Sequence, residues 1–598
     1  MHNLFGFNNI FEHSNARYFT SDQLAEEFVW TPAFESLISN KNHIILGSRG
    51  SGKTALIKML SHECLTKLND SKAKQIINER SFIATYIPLK VEWVNSIGDI
   101  DDDNQLFKWS LNLSSCARFL DTIRSCLYSY IDDEIDRIIK EKAICNKISE
   151  LWLSKKLSTI TDIYDELEII EYKKNIIFNK MKLGLELSNE DLTVGFNFNT
   201  DLFKPLTMAL STVKKEIGLS DASTFCVCID EAEFLTKAHH RILNTHMRSY
   251  NEIVFKITTM PYRHYTLETD TGTPLNMGHD FDYLNIDKQG LHGSSKNSSQ
   301  SSFENFAEKL FRKRIESSSI INKDITLKSL LGSSILIDSP KDALPDEQLM
   351  EKVREYCDTN TINRAERLLE EDYNLFESSV SRKLRGTLIL KDSFQSYKGN
   401  ASPSIFSGYS LVVRCADGNP RRLLRLFNFL FSKNIECCTE LKPLSDKEQG
   451  AKLKEFSYSE LEGLNLEVDG KKAFDLFTTI GRFLKDKLHT DKINTDTYSS
   501  FLFNIDDDEI WKHIKNAVDL GLIYPDFRGF HNDNKMPNRK GRFALAFCLS
   551  PHFYLMPRKG NSINLSVILN NHSYSRFKAL NKKNDEGQYS LDLEGNDE

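Results

Sequence analysis

The segment Gly47-Ser-Arg-Gly-Ser-Gly-Lys-Thr54 constrains this chain more than any other. It follows the apolar run His43-Ile-Ile-Leu46 and precedes an amphipathic run carrying Leu56, Met59 and Leu60. Strand, glycine loop, helix is the context in which the pattern GxxxxGK[ST] has chemical meaning. Glycines let backbone N–H groups converge on phosphates without a Cβ in the way, and the following helix presents the positive end of its dipole. Gly47, Gly50, Ser51, Gly52, Lys53 and Thr54 are therefore the expected phosphate cradle. Lys53 is expected to bridge the β- and γ-phosphates, and the Thr54 hydroxyl to ligate Mg²⁺.

A second run ends in acids. Phe225-Cys-Val-Cys-Ile229 is continuously apolar, as a strand buried on both faces should be, and Asp230 and Glu231 follow it directly. Ligands collect at the carboxyl ends of parallel strands. Asp230 is thus placed to hold Mg²⁺ through water, and Glu231 to polarise an attacking water. Alone, Asp230 reads equally as the cap of a helix starting at Ala232.

Two weaker signals accompany these. The run Ile253 to Thr259 ends in two hydroxyls before Pro261, and Thr259 by preference, with Thr258 as the alternative, is expected to orient the water or a γ-phosphate oxygen. Asp417-Gly-Asn-Pro-Arg-Arg-Leu-Leu-Arg425 places Arg421 just inside a helix N-terminus, where the dipole disfavours a cation unless an anion is bound. The plainer reading makes Arg421, Arg422 and Arg425 a solvated basic face.

In their order these elements resemble the Walker A, Walker B, sensor 1 and sensor 2 segments of AAA+ ATPases: GSRGSGKT, IDEAE at 229–233, the strand ending KITT, and GNPRRLL. With the winged-helix-like end described below, they are similar to the origin-recognition-complex and replication-initiator branch, in particular its large bacterial relatives. The resemblance covers roughly residues 15–435 and the C-terminal module. It implies ATP and Mg²⁺ as cofactors, ATP hydrolysis with Glu231, Thr259 and Arg421 as catalytic residues, and a homo-oligomer. The Phe28-Val-Trp-Thr-Pro-Ala-Phe34 stretch resembles the family's segment that precedes the core and packs on its base, although Trp30 and Phe34 serve equally as core residues. The chain departs from the pattern in offering no clear arginine finger; Arg248 and Arg263, flanking the sensor strand, are the candidates.

The expected fold is an α/β parallel-sheet P-loop core with a helical insertion and a helical lid, followed by a winged-helix-like domain. Its parts are an N-terminal segment over 1–40 packing on the nucleotide site, a core over 41–302, a lid over 303–435, a C-terminal domain over 440–575 and a disordered tail over 576–598. From Thr54 to Asp230 the chain is far longer than a minimal core needs, and the helical spacing of Leu120, Ile123, Leu127 and Ile131 marks the stretch about 100–190 as the insertion. Gln289 to Ser302 reads as a flexible loop.

In the C-terminal part, a helical run from Asp508 to Leu520 is followed by a strand, a loop from Asp526 to Arg542, and the strand-like Phe543 to Leu549. The net charge of −7 excludes a generally basic nucleic-acid-coating protein, so any DNA contact must be local. Arg528, Lys535, Arg539, Lys540 and Arg542 in that loop are the one such patch, and a solvated loop explains them as well. The eleven cysteines lack metal-site spacing and read as buried thiols. No apolar run reaches transmembrane length and the start lacks a signal-peptide profile, so a cytoplasmic protein without membrane contact is expected. Three function classes stay open: a DNA-engaging motor or loader; a signalling switch of the kind found in bacterial antiphage defence, working with a separate effector protein; and a nucleotide-stabilised scaffold, against which the intact Lys53, Asp230 and Glu231 speak.

Overall fold

Five apolar runs become five parallel strands of one sheet: β1 (His43–Leu46), β2 (Phe82–Pro88), β3 (Thr224–Asp230), β4 (Ile253–Thr259) and β5 (Asp282–Asn285). Their spatial order is β2-β3-β4-β1-β5. All of β1 and β4 and nearly all of β3 is buried, which explains why these strands read as unbroken apolar runs. The exception inside β4, Lys256, is buried and holds its ammonium on the Ser39 carbonyl at 3.1 Å and on His43 Nδ1 at 2.9 Å. The order has one decisive consequence. β4 lies between the strand that feeds the glycine loop and the strand that ends in acids, so its C-terminal hydroxyls fall between loop and acids.

The computed structural model describes residues 10–11, 15–90, 104–289, 298–318, 320–396, 403–437, 440–494, 497–526 and 540–570. The chain divides into two units, one spanning His13–Gln289 and the other Met1–Glu12 with Gly290–Glu598.

In the first unit, α1 (Ser21–Glu27) opens with a reciprocal Thr20/Gln23 cap and α2 (Pro32–Leu37) with Pro32 behind the Thr31 cap. Leu24, Phe28, Phe34 and Leu37 join Leu56, Ile57 and Met59 of α3 (Lys53–Met59) in one core, with Trp30 edge-on to Phe34 at the rim. The helices α4 (Gln105–Tyr130), α5 (Glu134–Leu153), α6 (Ile160–Lys182) and α7 (Lys204–Ile217) fill the long interval before β3, and α8 (Lys237–Ser249) follows it. The first of them, within the expected insertion, packs against the core. α4 lies on the sheet, with Phe119 against Phe225 at 5.4 Å between ring centroids and Thr122 Oγ1 2.9 Å from Thr85 Oγ1.

The second unit contains α9 (Pro420–Cys437), α10 (Asp446–Glu462), α11 (Gly470–His489) and α12 (Asp508–Asp519), together with a four-stranded sheet of order β7-β8-β6-β9. Its strands are β6 (Tyr498–Leu502), β7 (Ile523–Asp526), β8 (Arg542–Leu545) and β9 (Asn561–Asn564). Expected lid and C-terminal module thus share one unit. Phe11, from the N-terminal segment, belongs to it as well and packs its ring against Phe311 and Phe427. Ser298–Ser302, expected as loop, open a helix running Ser298–Glu316. The strand-like run 543–549 stops at Leu545, because the amides of Phe547 and Cys548 turn away to donate to the Asp417 carboxylate at 2.6 and 2.9 Å. Of the basic loop, Lys540 and Arg542 are described, while Arg528, Lys535 and Arg539 and the 576–598 tail lie outside the described residues. Nine of the cysteines are free and buried. No helix among the described residues is long and apolar enough to cross a membrane.

Candidate nucleotide site

The glycine loop is shaped by its own glycines. Gly50 and Gly52 adopt φ of 81° and 93°, and a Cβ on Gly47 would lie 2.4 Å from Ser51 Oγ. Lys53 is buried and folds back to donate to the carbonyls of Gly47 at 2.7 Å and Ser48 at 3.1 Å. Asp287, just beyond β5, braces the loop by accepting from Ser48 N at 2.7 Å and Ser48 Oγ at 3.0 Å. These contacts fix the loop from both ends, and the carbonyls that Lys53 engages are weaker acceptors than phosphate oxygens.

Asp230 closes the other side. Its Oδ1 accepts from Thr258 Oγ1 at 2.5 Å and its Oδ2 from Tyr86 OH at 2.9 Å. Both donors come from neighbouring strands, so the carboxylate is oriented from two sides. The same Thr258 hydroxyl accepts from Glu231 N at 3.0 Å. Glu231 sits at φ 65°, a left-handed conformation uncommon for a residue with a side chain and typical of functional sites. Burial and the adjacent Asp230 push its carboxyl above the usual range, against the pull of Arg17 and Lys53.

The register decides between the two threonines. Ile257 pairs with Ile229, so Thr258 falls beside Asp230 and Thr259, on the opposite face, falls beside Leu46. The preferred sequence candidate, Thr259, does not touch the acids. Its carbonyl accepts from Gly47 N at 3.4 Å, and its Oγ1 is buried without a hydrogen-bond partner among the described residues. The hydroxyl that engages Asp230 and Glu231 is that of the alternative, Thr258.

Three contributors were not assigned from the sequence. Arg17 Nη1 donates to Glu231 Oε2 at 2.6 Å and its Nη2 to the Leu89 carbonyl at 3.2 Å. The turn carrying it, Ala16–Tyr18, is pinned to α3 by Lys58, whose ammonium donates to the carbonyls of Ala16, Arg17 and Phe19 at 3.2, 2.9 and 2.7 Å. Tyr86 gave only the weak signal of an aromatic near a strand end. Glu233, part of IDEAE but unassigned, has a buried Oε2 with no hydrogen-bond partner among the described residues; burial pushes its carboxyl up to about 7, and Lys53 opposes the shift.

Arg421 is carried by the second unit, at the start of α9. Its neighbour Arg422, expected on a solvated face, is buried and donates to Asp417 at 3.1 Å, Glu460 at 2.8 Å, and the Leu520 and Gly521 carbonyls at 3.2 and 3.0 Å. It ties α9 to α10 and to the end of α12, a structural role. Arg248 is exposed in the last turn of α8, and Arg263 is half-buried in the turn after β4.

The donor set suits a magnesium-bound triphosphate. Buried oxygens of Ser51, Thr259 and Glu233 lack hydrogen-bond partners among the described residues, and the cradle is one a Cβ would fill. A family model described as ORC-CDC6-like matches residues 9–565. No curated protein and no solved structure matches the chain.

Proposed function

Because the chain belongs to the ORC-CDC6-like family, we propose that it is a Mg²⁺-dependent AAA+ ATPase that couples turnover to engagement of DNA. One observation carries the hydrolytic reading: Thr258, on the strand between the glycine loop and the acids, holds Asp230 and the Glu231 amide in place. On ATP binding, Lys53 exchanges the Gly47 and Ser48 carbonyls for phosphate oxygens, and the loop amides from Gly47 to Thr54 surround the phosphates. Thr54 and Asp230 would hold Mg²⁺, which neutralises charge on the phosphates. Glu231 orients the attacking water and accepts its proton. The unpartnered Thr259 hydroxyl is available to a γ-phosphate oxygen or the water. Arg421 is the candidate for sensing the γ-phosphate, and Arg248 or Arg263 would serve a neighbouring subunit.

The DNA contact is assigned to the basic loop Arg528, Lys535, Arg539, Lys540 and Arg542 on a winged-helix-like module, through phosphate neutralisation. A second reading is favoured by the Arg17 ion pair, which occupies Glu231 and suits slow basal turnover. In that reading ATP holds an assembly-competent homo-oligomer and hydrolysis resets it, as a switch for a separate effector protein in antiphage defence.

The test is ATP turnover by the full chain with and without duplex or single-stranded DNA, with mass in solution measured in parallel. The motor predicts stimulation by DNA that fades steeply with salt. ATP-dependent assembly without stimulation supports the switch, and absence of turnover under all conditions removes both.

A further inference from the structure

The helix α6 carries an apolar stripe on the side opposite its core. Ile163, Leu167, Ile177 and Phe178 are buried, whereas Ile169, Tyr172, Ile176 and, at the C-terminal cap, Leu183 are 46%, 68%, 38% and 74% exposed. The exposed positions follow one another in steps of three, four and seven, the spacing of a seam that faces a partner helix. Scattered exposed apolar residues need no explanation, but a seam over about four turns of one helix does.

The charges beside the seam are divided along its length. Asp162, Asp165 and Glu168 are exposed in the N-terminal half, and Lys173 and Lys182 in the C-terminal half. Lys180 adds to the basic end while keeping its 2.7 Å ion pair with Asp191. A parallel copy of this helix would set like charges against like, whereas an antiparallel copy sets the acidic half against the basic half twice over, once on each side of a two-fold axis.

We propose that a second copy of this chain docks on α6, seam to seam and antiparallel, with the two-fold axis beside Tyr172. This interface is independent of the nucleotide site, lies on the helices between β2 and β3, and forms without ATP. An isologous contact of this kind closes at two copies and joins chains, or higher assemblies of them, in pairs.

The test is sedimentation equilibrium of the full chain without nucleotide, for the wild type, Ile169→Glu, Ile176→Lys and the double variant. The wild type is expected to dimerise with concentration. Each single substitution should weaken the dimer about a hundredfold, since the two-fold axis counts it twice. The double variant should recover most of the loss, because antiparallel packing sets the carboxylate introduced at position 169 near the ammonium introduced at position 176 of the other copy, whereas parallel packing would not. Far-ultraviolet circular dichroism and ATP binding should be unchanged in all four, which separates lost docking from lost folding. Oxidation of a mixture of Ile169→Cys and Ile176→Cys chains should give the mixed disulfide over either self-linked product. A wild type that stays monomeric at every concentration, single variants that dimerise as it does, or a double variant weaker than both singles would overturn the proposal.

Discussion

Arg17 and Glu231 lie 214 residues apart in sequence and meet in an ion pair of 2.6 Å. Arg17 favours the ionised carboxylate that burial and Asp230 oppose. Since the carboxyl stands above its ordinary range and water activation needs it deprotonated, activity should fall on mild acidification. Arg17→Ala removes one of the influences holding the carboxyl down. The acidic limb of the kcat/KM profile should therefore move to higher pH. A limb that stays in place would show that Arg17 does not govern this carboxylate.

Thr258 orients Asp230 and fixes the Glu231 amide, so its hydroxyl acts through them. Thr258→Val is expected to lower turnover by about 10- to 100-fold, the usual loss when a ligand-orienting hydrogen bond is removed, with a raised Mg²⁺ requirement. Thr258→Ser, which keeps the hydroxyl, should restore most of both. Titration of turnover against Mg²⁺ concentration checks the pair.

Glu233 is an acid whose folded pKa, about 7, lies above the ordinary 4.5. The folded state then holds a proton that the unfolded chain releases, so this residue's contribution to stability is present at low pH and is lost as pH rises from about 4.5 to about 7. Glu233→Gln removes that dependence. The melting temperature of the variant relative to wild type should rise between pH 5 and pH 8, with each 1 kcal/mol worth about 2–4 °C. Equal differences at both pH values would contradict the burial of this carboxyl.

Arg422 is buried among Asp417 and Glu460, both also buried. Arg422→Ala takes the buried guanidinium away from Asp417 and leaves Glu460 to Arg425 alone, and should destabilise the second unit by about 3–5 kcal/mol. Limited proteolysis should then cut within 290–598 first, with ATP affinity of the surviving first unit less affected.

What the sequence disclosed follows from locality. The glycine loop was legible because every residue of the cradle lies within Gly47–Thr54, and the acid pair because a buried parallel strand announces itself as an apolar run. The preference for Thr259 over Thr258 had no support in local sequence, since which one faces Asp230 depends on the register of β4 against β3. Arg17 carried no signal, because its place depends on Lys58 pinning a turn to α3. The buried Arg422 looked like Arg421 and Arg425 beside it, since helical position alone does not say which arginine is buried against Asp417. The placement of α4 on the sheet was hidden for a related reason: an amphipathic pattern tells that a face is covered, not by what.

The central claim is that Lys53 and Glu231 serve one nucleotide, the first in binding and the second in hydrolysis. The most direct measurement is ATP binding and single-turnover hydrolysis by Glu231→Gln beside the wild type. The account predicts retained affinity with hydrolysis slowed at least about a hundredfold. Hydrolysis at the wild-type rate would contradict it.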